Sequence, residues 1–268
     1  MTYVLDFRGA NVGGPVLPGQ LVEGRLSALQ MAGDVTFLLH GFNVDRAEGK
    51  ATLKRFAEHL TMVPHHALVA TLWPGDHWAG AFSYSAEGRD ADDTALELAK
   101  FIYTYLRKST RVSFATHSLG ARVALQVIKL LKPYGYTFAQ ACLMAAAVDD
   151  FSLGDPSQFR DAARGAQRVA VLASRQDLVL RYAYPAGDLF QSWRFMGQEN
   201  SGQALGYHGP RTRGSHAPPG QVLHTQIADP RNASHSDYLP GPRATPNQRA
   251  AMQFVNDALS GRSSPRYP

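Results

Sequence analysis

The sequence predicts an α/β fold with a mostly parallel sheet and helices on both faces, and three observations point there. Apolar runs of strand length alternate with longer runs of helical character. The chain has 268 residues, 44% of them hydrophobic and 18% charged, enough to bury a sizeable core. No repeat or linker interrupts the order, so residues 1–260 read as a single domain, with 261–268 (Gly-Arg-Ser-Ser-Pro-Arg-Tyr-Pro) a disordered tail.

The elements follow in order. Residues 3–7 alternate in a short stretch that contains Asp6, and they lack the basic region and apolar core of a leader. They therefore read as a first strand, and the protein as cytoplasmic. Further strands are expected over 35–39, 68–72, 112–115, 141–146, 169–172 and 222–227. Helices are expected over 46–62, 90–106, 119–131, 158–165 and 246–259. Two stretches, 76–88 and 198–220, are rich in Gly, Tyr, His, Ser and Pro and too long for ordinary connections. They read as lids, pocket walls or surface excursions.

Composition narrows the chemistry. The formal charge of +5 comes mostly from scattered arginines with no basic run, which argues against nucleic-acid binding. No stretch has the uninterrupted apolar length of a membrane span. The single cysteine, Cys142, excludes an internal disulfide and cysteine-type zinc clusters. The ten histidines contain no His-Glu-x-x-His pair, so no metal site is expected.

The most informative segment is Arg111-Val-Ser-Phe-Ala-Thr116, a strand pattern that breaks at His117-Ser118-Leu119-Gly120. It passes directly into a helix that is apolar at Leu119, Val123, Val127, Ile128 and Leu131. A serine on such a strand-to-helix turn is a nucleophile elbow, its hydroxyl raised above the sheet edge. The bland alternative makes Ser118 a helix N-cap. Thr116 departs from the glycine usual two residues before the serine, while Gly120 fits the position two after it.

A serine hydroxyl needs a base, and the base needs a carboxylate to orient it. Asp177 follows the strand 169–172, and His235 lies in a loop between the last strand and the last helix, giving the chain order Ser, acid, His. Asp149 and Asp150 are rival acids, each also able to cap a helix. His224 falls within a strand, and His208 and His216 in the irregular stretch. His117 neighbours the serine but points away from it. Donors for a developing oxyanion are expected from the N–H of Leu119 and from the loop His40-Gly41-Phe42-Asn43, by the N–H of Phe42 or, less favourably, of Asn43.

Taken together, His40-Gly-Phe-Asn43, Trp73-Pro-Gly75 with Tyr84 and Asp92, Thr116-His-Ser-Leu-Gly120, Ala146-Ala-Val-Asp149, Ala173-Ser-Arg-Gln-Asp177 and His235-Ser-Asp-Tyr238 resemble a group of largely uncharacterised bacterial α/β-hydrolases. The likeness spans roughly residues 34–240. It implies an α/β-hydrolase fold and a Ser118, Asp177, His235 triad. Val148 and Gly75 depart from the proline and serine frequent in that group.

With the aromatics Trp78 and Phe82, Trp73 and Tyr84 suggest an aromatic pocket for the acyl or alcohol part of a small-molecule substrate, the alternative being core or lid packing, and Asn43 is a further substrate-binding candidate. The expectation is a serine hydrolase acting on an ester-type bond without metal or organic cofactor. The alternatives are a catalytically silent binding protein of the same fold, or an amidase, thioesterase or acyltransferase on the same triad.

Overall fold

The computed structural model describes residues 2–9, 14–41, 44–61, 65–75, 84–183 and 202–268, with backbone alone for 84–87 and 183. In these residues β1 (Thr2–Arg8), β2 (Val16–Glu23), β3 (Asp34–Leu39), β4 (His66–Leu72), β5 (Arg111–His117), β6 (Thr137–Met144), β7 (Ala166–Ser174) and β8 (Val222–Ile227) join in one sheet. Their order is β2-β1-β4-β3-β5-β6-β7-β8. Every neighbouring pair is parallel except β1 with β2. The central strands β3 and β5 are buried at almost every position, as strands covered on both faces must be.

The helices are α1 (Leu26–Gln30), α2 (Arg46–Glu58), α3 (Tyr84–Tyr105), α4 (Gly120–Leu131), α5 (Arg160–Gly165), α6 (Leu205–His208) and α7 (Pro246–Leu259). Among them α3 packs on α4 and α4 on α5, while α2 and α7 flank other strands. Thr61, just past α2, donates its N–H to Asn256 Oδ1 of α7 at 2.7 Å. Helix α4 buries Val123, Leu125, Val127, Ile128 and Leu131 under the sheet centre. Helix α7 starts where its residues dictate: Thr245 and Gln248 form a reciprocal capping box around Pro246 in the first turn. No helix among the described residues is long and apolar enough to cross a membrane.

Three expectations need correction. The strand β2 and the helix α1 carry no strong apolar run, and β2 exists because the edge of β1 takes it as an antiparallel partner. Helix α3 starts at Tyr84, inside the first irregular stretch, whose residues 76–83 lie outside the described ones. The tail, expected to be disordered, docks instead. Thr225 Oγ1 donates to Pro265 O at 3.1 Å, Arg266 N donates to Asp257 Oδ2 at 3.2 Å, and the Tyr267 hydroxyl donates to Asn247 O. The reason is Asp257, a carboxylate buried on α7 that needs donors, and residues after α7 supply them.

Candidate active site

Ser118 lies where β5 meets α4, with φ at +53°, in the left-handed region that side chains other than glycine rarely occupy. The turn is clamped through its backbone. Ser118 donates its N–H to Met144 O at 3.0 Å, and its carbonyl accepts from Ala121 N at 3.1 Å and Ala147 N at 3.2 Å. Two glycines make room for it. A Cβ on Gly120 would sit 2.7 Å from His40 O and 3.0 Å from Leu39 Cβ, and one on Gly41 would sit 2.8 Å from Ser118 Cβ. Thr116 replaces the usual glycine without clash, since it is buried and its hydroxyl donates to Cys142 O at 3.2 Å.

The structure brings the three expected residues together across 117 positions of sequence. His235 Nε2 lies 3.1 Å from Ser118 Oγ, and His235 Nδ1 lies 2.7 Å from Asp177 Oδ2. Asp177 is fully buried, and its other oxygen, Oδ1, accepts the Leu180 N–H at 3.0 Å. A carboxylate acceptor at Nδ1 requires the proton there, which leaves Nε2 free to accept from the serine. Of the rival acids, Asp150 pairs with Arg211 and Asp149 accepts from Gln158 Nε2. Burial raises the Asp150 pKa, and Arg211 opposes the rise.

The loops carrying Asp177 and His235 are tied to one another. Ser174 Oγ, at the end of β7, donates to Ala233 O at 2.7 Å and accepts the Gln176 N–H. His235 begins a 3-10 turn, His235–Asp237, capped by Ser234 and Asp237 in a capping box. Gln248 Nε2 holds Ser236 O from α7.

Of the expected oxyanion donors, Leu119 stands at the start of α4, and its N–H is used by no acceptor among the described residues. Phe42 and Asn43 lie outside the described residues, but both flanks of their loop are fixed. On one side His40, fully buried, shares Nδ1 with Gly41 O at 2.7 Å. A carbonyl only accepts, so the ring proton is on Nδ1. Nε2 then accepts from Arg8 Nη2 at 3.2 Å and from Trp73 N. Burial first, and the Arg8 charge second, lower the His40 pKa to about 3, so the ring is neutral. On the other side Val44 N donates to Gly75 O, and Arg8 Nη2 donates to Val44 O.

Trp73 takes a different position from the pocket wall expected of it. Its ring is fully buried, stacked on His40 at 5.6 Å between centroids, and its indole N–H donates to His40 O at 3.1 Å. It packs under the Gly41 loop because an indole there both fills the core and satisfies a buried carbonyl. The side chain of Tyr84 lies outside the described residues.

The site geometry and the topology define a class, a nucleophile elbow in an α/β-hydrolase fold. The sequence comparison agrees: residues 24–186, more than half of the chain, match the model of a family described as alpha/beta hydrolase of unknown function (DUF900), and the chain belongs to that family. A search of curated protein sequences found no match.

Similar solved structures include an esterase from Pyrobaculum calidifontis, 13% identical over 85% of this chain and 76% of that one, with a TM-score of 0.42. A putative hydrolase from Agrobacterium vitis S4 is 16% identical, over 85% of this chain and 87% of that one, with a TM-score of 0.44. A dienelactone hydrolase-like promiscuous phosphotriesterase from metagenomic libraries is 14% identical over 85% of each chain, with a TM-score of 0.46. No functional conclusion rests on these distant likenesses.

Proposed function

We propose that the protein is a serine hydrolase that cleaves an ester-type bond through an acyl-enzyme on Ser118. The observation that carries this reading is the continuous hydrogen-bonded line from Ser118 Oγ through the His235 ring to the buried Asp177 carboxylate. In the proposed reaction His235 Nε2 takes the serine proton as Oγ attacks the acyl carbon. Asp177 steadies the imidazolium that forms. Negative charge gathers on the former carbonyl oxygen, where the Leu119 N–H and the positive end of α4 meet it. His235 then protonates the leaving alcohol, and water attacks the acyl-serine by the same route in reverse.

The left-handed backbone at Ser118 supports this reading over a plain helix cap. A cap has an extended backbone, and strain of this kind persists where a side chain must be aimed. The test is a panel of p-nitrophenyl esters, thioesters and anilides of increasing acyl length. The reading expects ester turnover that is lost in Ser118→Ala. Turnover that survives this substitution refutes it, and a preference for thioesters or anilides reassigns the bond.

A further inference from the structure

His117 immediately precedes the nucleophile, and its ring is turned toward the base loop. Its Nε2 lies 2.9 Å from the backbone carbonyl oxygen of His235. A carbonyl only accepts, so the His117 proton sits on Nε2. The two imidazoles pack at 4.6 Å between centroids, tilted 47°, and the His117 ring also lies 5.8 Å from that of Tyr238, which is fully buried.

These contacts close a short circuit. One peptide bond joins His117 to Ser118, a hydrogen bond joins His117 to the His235 backbone, and the His235 side chain returns to Ser118 Oγ at 3.1 Å. The base backbone is thereby referenced to the nucleophile turn itself. The tie from Ser174 reaches the same loop from the acid side, at Ala233. The two ties bracket the loop on either side of Ser234 and leave His235 little freedom to swing.

We propose that His117 is a positioning residue of the triad, its Nε2–H holding the His235 carbonyl so that the imidazole stays within reach of Ser118 Oγ. The proposal rests on the serine-hydrolase reading above. Misplacing a reacting group by about 1 Å costs on the order of 100-fold in rate. Loss of the donor should therefore slow acylation and deacylation alike, since His235 serves both, and so lower kcat with little change in KM.

The experiment measures kcat and KM on a p-nitrophenyl ester, with active sites titrated by a fluorophosphonate so that turnover is counted per competent Ser118. His117→Leu removes the donor, and His117→Gln places an amide N–H near the position of Nε2. The expected result is a kcat at least about tenfold lower per titrated site in His117→Leu, with KM within about threefold of wild type, and recovery to within about threefold of wild-type kcat in His117→Gln. A His117→Leu enzyme as fast per site as wild type overturns the proposal, and so does a His117→Gln enzyme as slow as His117→Leu.

Should His117→Leu fail to fold, ¹⁵N NMR of histidine-labelled wild type reads the tautomer directly, with the His117 signal assigned by its loss in His117→Gln. A protonated Nε2 supports the proposal, and a protonated Nδ1 overturns it. Fluorophosphonate labelling that persists in Ser118→Ala identifies failure of the hydrolase reading instead.

Discussion

The strain at Ser118 can be weighed by comparing two substitutions that both delete the hydroxyl. Ser118→Ala keeps a Cβ at φ +53°, and Ser118→Gly removes it. Both lose the 3.1 Å bond to His235 Nε2, so that loss cancels between them. The backbone bonds to Met144 O and from Ala121 N and Ala147 N hold the turn in either variant. What differs is the left-handed cost of a Cβ, about 1–2 kcal/mol. Against it stands the greater freedom of glycine in the unfolded chain, about 0.5–1 kcal/mol. Taken at the midpoints the balance favours glycine by about 0.75 kcal/mol, within a span of about 0–1.5, or roughly 1.5–3 °C in Tm for a domain of this size. Urea and thermal unfolding of the two purified variants reads the difference. An alanine variant more stable than the glycine variant refutes the claim that the Ser118 turn is strained.

Other outcomes follow from the same coordinates. Gly41→Ala puts a Cβ 2.8 Å from Ser118 Cβ and 3.0 Å from His117 Nδ1, so ester turnover should fall by about 100-fold or more, while Gly33→Ala, with nothing within 4 Å, serves as an active control. Equal activity in the two variants refutes the close approach of that loop. Asp177→Asn keeps its carbonyl oxygen on the Leu180 N–H and turns its amide donor toward His235 Nδ1, which favours the wrong tautomer. Steady-state kinetics should show a loss of roughly 10³–10⁴-fold in kcat, with Asp150→Asn, whose carboxylate pairs with Arg211, within about threefold of wild type. The reverse pattern assigns the acid to Asp150.

The fourth prediction concerns His40, whose pKa is lowered from 6.5 to about 3 by burial and by Arg8. Between those values the unfolded chain binds a proton that the native one does not. The contribution to stability is therefore complete above pH 6.5 and falls by about 1.4 kcal/mol per pH unit as pH drops toward 3. Urea unfolding between pH 7 and 5 should show a shallower fall in His40→Asn, which retains a donor toward Gly41 O. An unchanged slope counts against a neutral, buried His40.

Much of this architecture could be read in the residues because it is local. The strand over 222–227 and the helix over 246–259 appear with the expected bounds, since a Thr-x-x-Gln box and an apolar face mark the helix within the chain itself. The meeting of Ser118, Asp177 and His235 was legible for a related reason: each follows the end of a strand in a sheet that is parallel there, so all three reach one edge.

What the sequence did not disclose depends on partners distant in the chain. The β2 strand is visible only once β1 offers an edge, and the tail is ordered only once Asp257 is known to be buried. Trp73 follows β4 directly, a place that suits a pocket residue. Its stacking on His40, which sends it inward, is a contact across 33 positions. That His117 points away from the serine follows from its place on the turn, yet its bond to the His235 carbonyl has no signature along the chain.

The central claim is that one serine hydroxyl in this protein is activated, and covalent labelling addresses it most directly. Native protein treated with a fluorophosphonate probe, digested and analysed by mass spectrometry should carry the adduct on the peptide containing Ser118 at one per chain, and Ser118→Ala should carry none. Native, folded protein whose Ser118 reacts no faster than other serines, or an adduct elsewhere that survives the substitution, contradicts the account.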